Sequence, residues 1–304
     1  MTEAGFLLAA AALALAAPLL LAALGELVQE RAGIVNIGIE GLMLIGAFAG
    51  MVGCHLSGSP LVGLATACLA SVLAAAVFGA WVIWLDASQI VAGAALNILA
   101  LGVTGVAYRT VFGVTGTALT VPTFTPLALG GDALWLAPLR QNVLVYVALA
   151  LVPAVWLVLF RTRAGLRLRA VGEAPEAAAS LGIAVARMRW IAVLAGAVLA
   201  GAGGAYLSLA YSNTFAEGMS AGRGFIALAI VVFGRWRPLG VLAGALVFGA
   251  TTALQFQMQA HGVAVPYHLL LMLPYVLTLA VLALAPGGAA APAALGRRRA
   301  DETS

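Results

Sequence analysis

The run A-G-F-L-L-A-A-A-A-L-A-L-A-A-P-L-L-L-A-A-L, Ala4–Leu24, contains no charged or amide side chain. A helix that crosses a bilayer needs roughly 20 mostly apolar residues, and this run supplies them. No basic segment precedes it, and it is longer than the roughly 7–15 apolar residues of a cleaved leader, so it is expected to remain as a first span. Similar runs recur along the chain: Leu42–Val52 as a short or broken second helix, then Leu61–Leu85, Ile90–Tyr108, Val143–Phe160, Ile191–Ala210, Leu239–Phe256 and Leu269–Ala285. Phe225–Gly234 is too short to cross untilted and reads as a half-helix. The fold class is therefore an all-α polytopic membrane bundle of about eight to ten spans, short or broken helices included. One membrane domain is expected over residues 1–285, with Pro286–Ser304, rich in Pro, Gly and Ala, as a disordered tail.

Composition agrees: 63% of the 304 residues are hydrophobic, 9% are charged, and the mean hydropathy is +1.09. The net charge of +4 comes from arginines between spans. It reports topology and lipid headgroups, and it gives no reason to expect nucleic acid. Arg161, Arg163, Arg167, Arg169, Arg187 and Arg189 share one connection, 161–189, which the positive-inside rule places in the cytoplasm. Counting outward also puts Arg235, Arg237 and the basic tail inside if the chain crosses at Phe225–Gly234, while counting backward leaves Arg109–Asn142 and the N-terminus outside.

Chemistry of the catalytic kind has little support. His55, His261, His268, Cys54 and Cys68 lack ligand spacing, so no metal is expected. No nucleophile elbow occurs and no phosphate-cradling G-x-x-x-x-G-K-[ST] is present, so the chain reads as no enzyme and needs no cofactor of its own. Polar groups inside spans are the remaining candidates, because burying them in hydrocarbon is costly without a partner. Asn36 and Glu40 lie one turn apart if helical, in a segment from Glu26 to Gly41 that Gly33, Gly38 and Gly41 can break. Two readings stay open for Glu40: a carboxylate capping a neighbouring helix, or a group in the solute path. Asn97, with Thr104 on the same face and Tyr108 beyond, either bonds between helices or lines a polar route. Gln255 and Gln259, at i and i+4, suit either a wet vestibule or snorkelling amides near the outer end of their span. Gly196, Ala200, Gly204 and Ser208, at steps of four, predict close helix contact and nothing more.

The connection rich in arginine is more specific. Pro175 suits a first helical turn, and Glu173 and Glu176 sit where the helix dipole favours carboxylates. In E-A-A-A-S-L-G, Glu176, Ala177, Ala178 and Gly182 match the E-A-A-x-x-x-G motif of the permeases of bacterial ABC importers, which the chain resembles. The Ile and Leu-Pro positions that follow that glycine in those permeases have no clear counterpart here. Two further segments, E-R-A-G-I-V-N-I-G-I-E-G-L-M (Glu30–Met43) and V-A-G-A-A-L-N-I-L-A-L-G (Val91–Gly102), are similar to the permease family for branched-chain amino acids, simple sugars and nucleosides. The form is most like the shorter permease of nucleoside importers.

That resemblance implies alternating access for a small polar solute, with Glu173, Glu176, Ala177, Ala178 and Gly182 coupling to separate ABC ATPase subunits. It also implies a second homologous permease, an extracytoplasmic substrate-binding lipoprotein and a place in the bacterial inner membrane. Simple sugars and branched-chain amino acids remain alternative solutes. From another class, an ion-gradient transporter would need a buried acidic site at mid-membrane; Glu40 is the one candidate the sequence offers, and it has no acidic companion nearby.

Overall fold

A computed structural model describes residues 3–113, 120–127, 134–260, 272, 276 and 291–297. The bundle comprises α1 (Glu3–Glu30), α2 (Ile39–Ser57), α3 (Pro60–Gly79, continued by a π turn at Ala80–Trp84), α4 (Gln89–Phe112), α5 (Val143–Arg161), α6 (Arg163–Glu173), α7 (Pro175–Ser180), α8 (Val185–Tyr206, continued by a π turn at Leu207–Tyr211), α9 (Arg223–Phe233) and α10 (Pro238–Ala260). Seven of these helices, counted among the described residues, are long and apolar enough to cross a membrane. The expected span Leu269–Ala285 lies outside the described residues apart from two positions.

Local chemistry sets the element boundaries. Pro60, Pro175 and Pro238 each open a helix, where the missing N–H costs nothing. Gly58, at φ +69°, closes α2 by turning left-handed and returning its N–H to the Cys54 carbonyl. Asn142 and Thr162 cap α5 and α6, accepting from Leu144 N and Gly165 N.

α8 is the central post, packed against α1, α2 and α3. The four-residue ladder on α8 makes this possible. A methyl group at Gly204 would stand 2.0 Å from the Met43 carbonyl oxygen of α2, so the two backbones meet at a distance only glycine allows.

Two features differ from the expectations drawn from sequence. α1 continues through Glu30, and the break falls at 31–38, so α2 is a full 19-residue helix rather than a short one. Glu26 and Glu30 therefore sit on a buried helix end, 0% and 3% exposed, ahead of the break rather than within it. Further along the chain, residues 291–297 are not a disordered tail. Ala294 N donates to Gly172 O, Gly296 N to Gly33 O, and Ala294 is buried.

The expectation of a half-helix at Phe225–Gly234 is met by α9. Its 11 residues rise about 16 Å, roughly half of a 30 Å hydrocarbon layer. Its C-terminal end joins the arginine-bearing end of the bundle and its N-terminal end stops within the bundle.

Candidate functional site

At the arginine-bearing end, α6 and α7 form a bent pair joined at Ala174–Pro175. Behind them the chain is tightly fitted: a methyl group at Gly172 would stand 2.2 Å from the Arg31 carbonyl oxygen, so α6 rests directly on the 31–33 turn. Arg169 donates from Nε to Leu159 O, and its guanidinium lies 4.8 Å from the centre of the Phe160 ring. Arg31, 5.6 Å from the centre of the same ring, donates from Nε and Nη2 to the Trp236 carbonyl. Trp236 Nε1 in turn donates to Glu30 Oε2 at the end of α1. α6, α1 and the α9–α10 junction are thus one connected unit, held by charge-assisted bonds and ring contacts.

The four motif residues and Glu173 do not share one face. Ala178 is buried at 3% and turns inward with Pro175, whereas Glu176 and Ala177 are exposed. The small residues of the motif therefore do not form one continuous Ala face. Leu181, 81% exposed, stands out beside them. The motif alone does not single it out, although an apolar side chain directly before the motif glycine is the signal that could find it. Gly182 adopts φ +78° in open space, where a methyl group would meet no atom within 4 Å, and its N–H closes α7 onto Ala179 O. Glu173 is spent differently: Oε2 accepts from Ala293 N of the C-terminal segment.

Inside the bundle, Asn36, Glu40 and Asn97 gather around the start of α2. Glu40 Oε1 accepts from Gly222 N at 2.8 Å and Oε2 from Gly224 N at 2.6 Å. The carboxylate thereby caps the N-terminus of α9 inside the bundle, where free N–H groups and the helix dipole both favour a negative charge. Of the two readings open for Glu40, this geometry is the capping one. Asn97 accepts from Gly41 N with Oδ1 and donates from Nδ2 to Ile37 O, so its amide bonds between helices. Asn36 lies in the 31–38 break, not one helical turn below Glu40. Its N–H donates to Glu26 Oε1 and its Nδ2 to Gln29 Oε1, while Gln29 Nε2 donates to Glu26 Oε2. Asn36 Oδ1 is left without a partner among the described residues.

The remaining candidates lie elsewhere. Tyr108 belongs to an aromatic cluster at the opposite end, 5.4 Å from Phe112 and 5.5 Å from Phe215 between ring centres. Nearby, Arg109 makes a two-pronged salt bridge with Glu217, at 2.7 and 2.6 Å. That hydrogen bond, with the arginine's charge, holds the exposed Glu217 carboxyl below its ordinary pKa. Gln255 is buried on α10, and Gln259 Nε2 has no partner among the described residues. α4 packs on α2 and α3 while α10 packs on α1, α5 and α9, so these residues do not converge on one polar route within the described chain. No group of three or more His, Cys, Asp or Glu able to hold a metal occurs among the described residues.

Residues 8–282 match the family described as branched-chain amino acid transport system / permease component. Among individual proteins, the chain is 41% identical to a putative glucose ABC transporter permease protein of Haloferax volcanii, covering 81% of this chain and 76% of that one. It is 38% identical to the guanosine ABC transporter permease protein NupQ of Bacillus subtilis, covering 94% of each. It is 37% identical to the nucleoside ABC transporter permease protein NupC of Lactococcus lactis, covering 92% of each. No solved structure matches significantly.

Proposed function

Since the chain belongs to this family of transport-system permease components, we propose that it is one permease subunit of an ATP-driven importer in a bacterial inner membrane, carrying a nucleoside-like solute. Its partners are a pair of ABC ATPases, a second homologous permease and an extracytoplasmic substrate-binding lipoprotein; hydrolysis of ATP belongs to the ATPases. The arginine-bearing end faces the cytoplasm on this reading, in keeping with the positive-inside rule. The nucleoside assignment draws on the two relatives of nucleoside or guanosine transport, each aligned over more than nine-tenths of both chains. The Haloferax relative favours a simple sugar as the second reading.

The observation that carries the mechanism is the placement of α7. It presents Glu176, Ala177 and Leu181 outward on a rigid backing, as a helix that docks in a groove of another subunit must. Movement imposed there reaches α6, then the Arg31–Trp236 linkage, then α9, whose far end is tied to α2 through Glu40. An ATPase pair closing on α7 would in this way tilt a half-helix inside the membrane.

The test is uptake into proteoliposomes holding the full assembly, with radiolabelled adenosine, glucose and leucine offered in parallel. Adenosine uptake should require ATP, and Leu181→Asp should abolish both uptake and co-purification of the ATPase while leaving membrane insertion unchanged. Uptake that survives Leu181→Asp, or that proceeds without the ATPase, rules this reading out. Leucine or glucose moving in place of adenosine rules out the solute alone.

A further inference from the structure

A groove of about 630 Å³ opens beside the end of α5, between it and the α9–α10 junction. Trp156, Phe160, Phe233 and Leu239 form apolar walls, and Arg235 and Arg237 belong to its lining. Arg161 adds a third guanidinium, 5.3 Å above the Trp156 ring. A second groove, of about 490 Å³, on another flank of α5 is lined by uncharged residues throughout, so the basic rim distinguishes the first.

Arg237 is exposed and pairs with no described carboxylate. Burial lowers the pKa of Arg31, behind the Phe160 wall, and repulsion from Arg169 and Arg237 lowers it further, against the opposing pull of Glu173. A guanidinium fork is the side chain best shaped for phosphate oxygens. Basic pockets between helices at the cytoplasmic end of membrane proteins take anionic headgroups. Of the apolar walls, Leu239 is 66% and Trp156 37% exposed.

We infer that this groove is a binding site for an anionic glycerophospholipid of the leaflet at the arginine-bearing end. One acyl chain lies along Trp156, Phe233 and Leu239, and the phosphate sits among Arg161, Arg235 and Arg237. The position matters because Phe160, one wall of the groove, is also the ring that Arg31 and Arg169 both contact. A lipid seated there touches the same unit that joins α6 to α9.

The lipid is read directly, without solute or ATP, so the result is separate from the fate of the importer assignment. The full assembly is placed in phosphatidylcholine nanodiscs containing either brominated phosphatidylglycerol or brominated phosphatidylcholine at equal mole fraction, and tryptophan fluorescence is measured. Brominated phosphatidylglycerol should quench more strongly, and Trp156→Phe should remove the excess. Arg237→Gln should reduce the relative association of the anionic lipid about fivefold, as follows from about 1 kcal/mol for each arginine at a charged surface. Leu239→Glu, a change at an exposed site that leaves every arginine in place, should act in the same direction.

Equal quenching by both lipids in the unaltered protein overturns the inference. So does an excess that survives Trp156→Phe, which would place the anionic lipid elsewhere. Relief of the excess by soluble glycerol phosphate would make this a site for free anions, and an excess that appears only when the ATPase is stripped from the assembly would make it a protein interface.

Discussion

Replacing Glu40 with alanine removes the cap from the end of α9 that lies inside the bundle. The two amide donors concerned, Gly222 N and Gly224 N, are 2.8 and 2.6 Å from the carboxylate, and each bond to a charged acceptor contributes about 1.5–3 kcal/mol. Water can replace part of this, since Glu40 is only partly buried, so the lower end of the sum, about 3 kcal/mol, is the working value. The turn being held is already under tension: Ala221 sits at φ +47° and Gly222 at φ +82°, and for the alanine that conformation costs on the order of 1 kcal/mol. At about 1.4 kcal/mol per factor of ten, local opening of residues 220–224 should become about 100-fold more frequent. Ser220, 2% exposed, reports on this when changed to cysteine. With Cys54 and Cys68, the only two cysteines, replaced by alanine, the rate at which a soluble maleimide labels Ser220→Cys gives the opening equilibrium. Glu40→Gln keeps one acceptor but turns an amide N–H₂ toward the second donor, so its effect should fall between those of alanine and the parent. Labelling that is unchanged by Glu40→Ala would show that the carboxylate does not hold α9, and the reasoning that ties α2 to the half-helix would fail with it.

Gly204→Val should prevent α8 from seating against α2, because its first side-chain carbon alone would lie 2.0 Å from a backbone oxygen; loss of the monodisperse peak on size exclusion is expected, while Gly102→Val, with nothing within 4 Å, should leave it intact. Trp236→Phe strips Glu30 of its indole donor and should lower thermal stability by about 1–3 kcal/mol, with most of the loss recovered when Glu30→Gln is added. The link between Arg109 and Glu217 should respond to acid. Because the folded carboxyl titrates below its ordinary value, its contribution is complete above the unfolded pKa of about 4.5 and is lost as pH falls through the depressed folded value. A spin label placed at Ser212 should therefore gain mobility only in strong acid, and Glu217→Gln should show the same mobility at neutral pH.

The spans are legible in the sequence because hydrocarbon leaves a chain so little choice. Every backbone group in the bilayer must be satisfied within a helix, so an uncharged run such as Ala4–Leu24 has essentially one fate. The short element at α9 can be read on the same ground, as length alone shows that 11 residues cannot cross. The site is less legible for a physical reason: a polar side chain in a span must find a partner, but the sequence does not say which. Asn97 bonds residues 37 and 41, and Glu40 bonds residues 222 and 224, at separations that no local pattern encodes. The same gap explains why Glu26 and Glu30 read as members of a break when they belong to a helix. Charge in a sequence suggests water, whereas Gln29, Asn36 and Trp236 supply donors enough for the helix to continue around them.

This bears on what drives transport. The sequence argues against an ion-gradient carrier because Glu40 lacks an acidic companion, and two buried carboxylates on α1 reopen that premise. Their oxygens answer it. Both Glu26 oxygens accept bonds from Gln29 and Asn36, and one Glu30 oxygen takes the Trp236 indole. A carboxylate that must bind and release an ion has to exchange its ligands at each turn of the cycle, whereas these bonds fasten α1 to the 31–38 turn and to the α9–α10 junction. Breaking them would loosen the contacts that join α1 to the α9–α10 junction. The buried acids are therefore better suited to carrying force between helices than to carrying charge across the membrane, which is what a permease driven by another subunit's ATP requires.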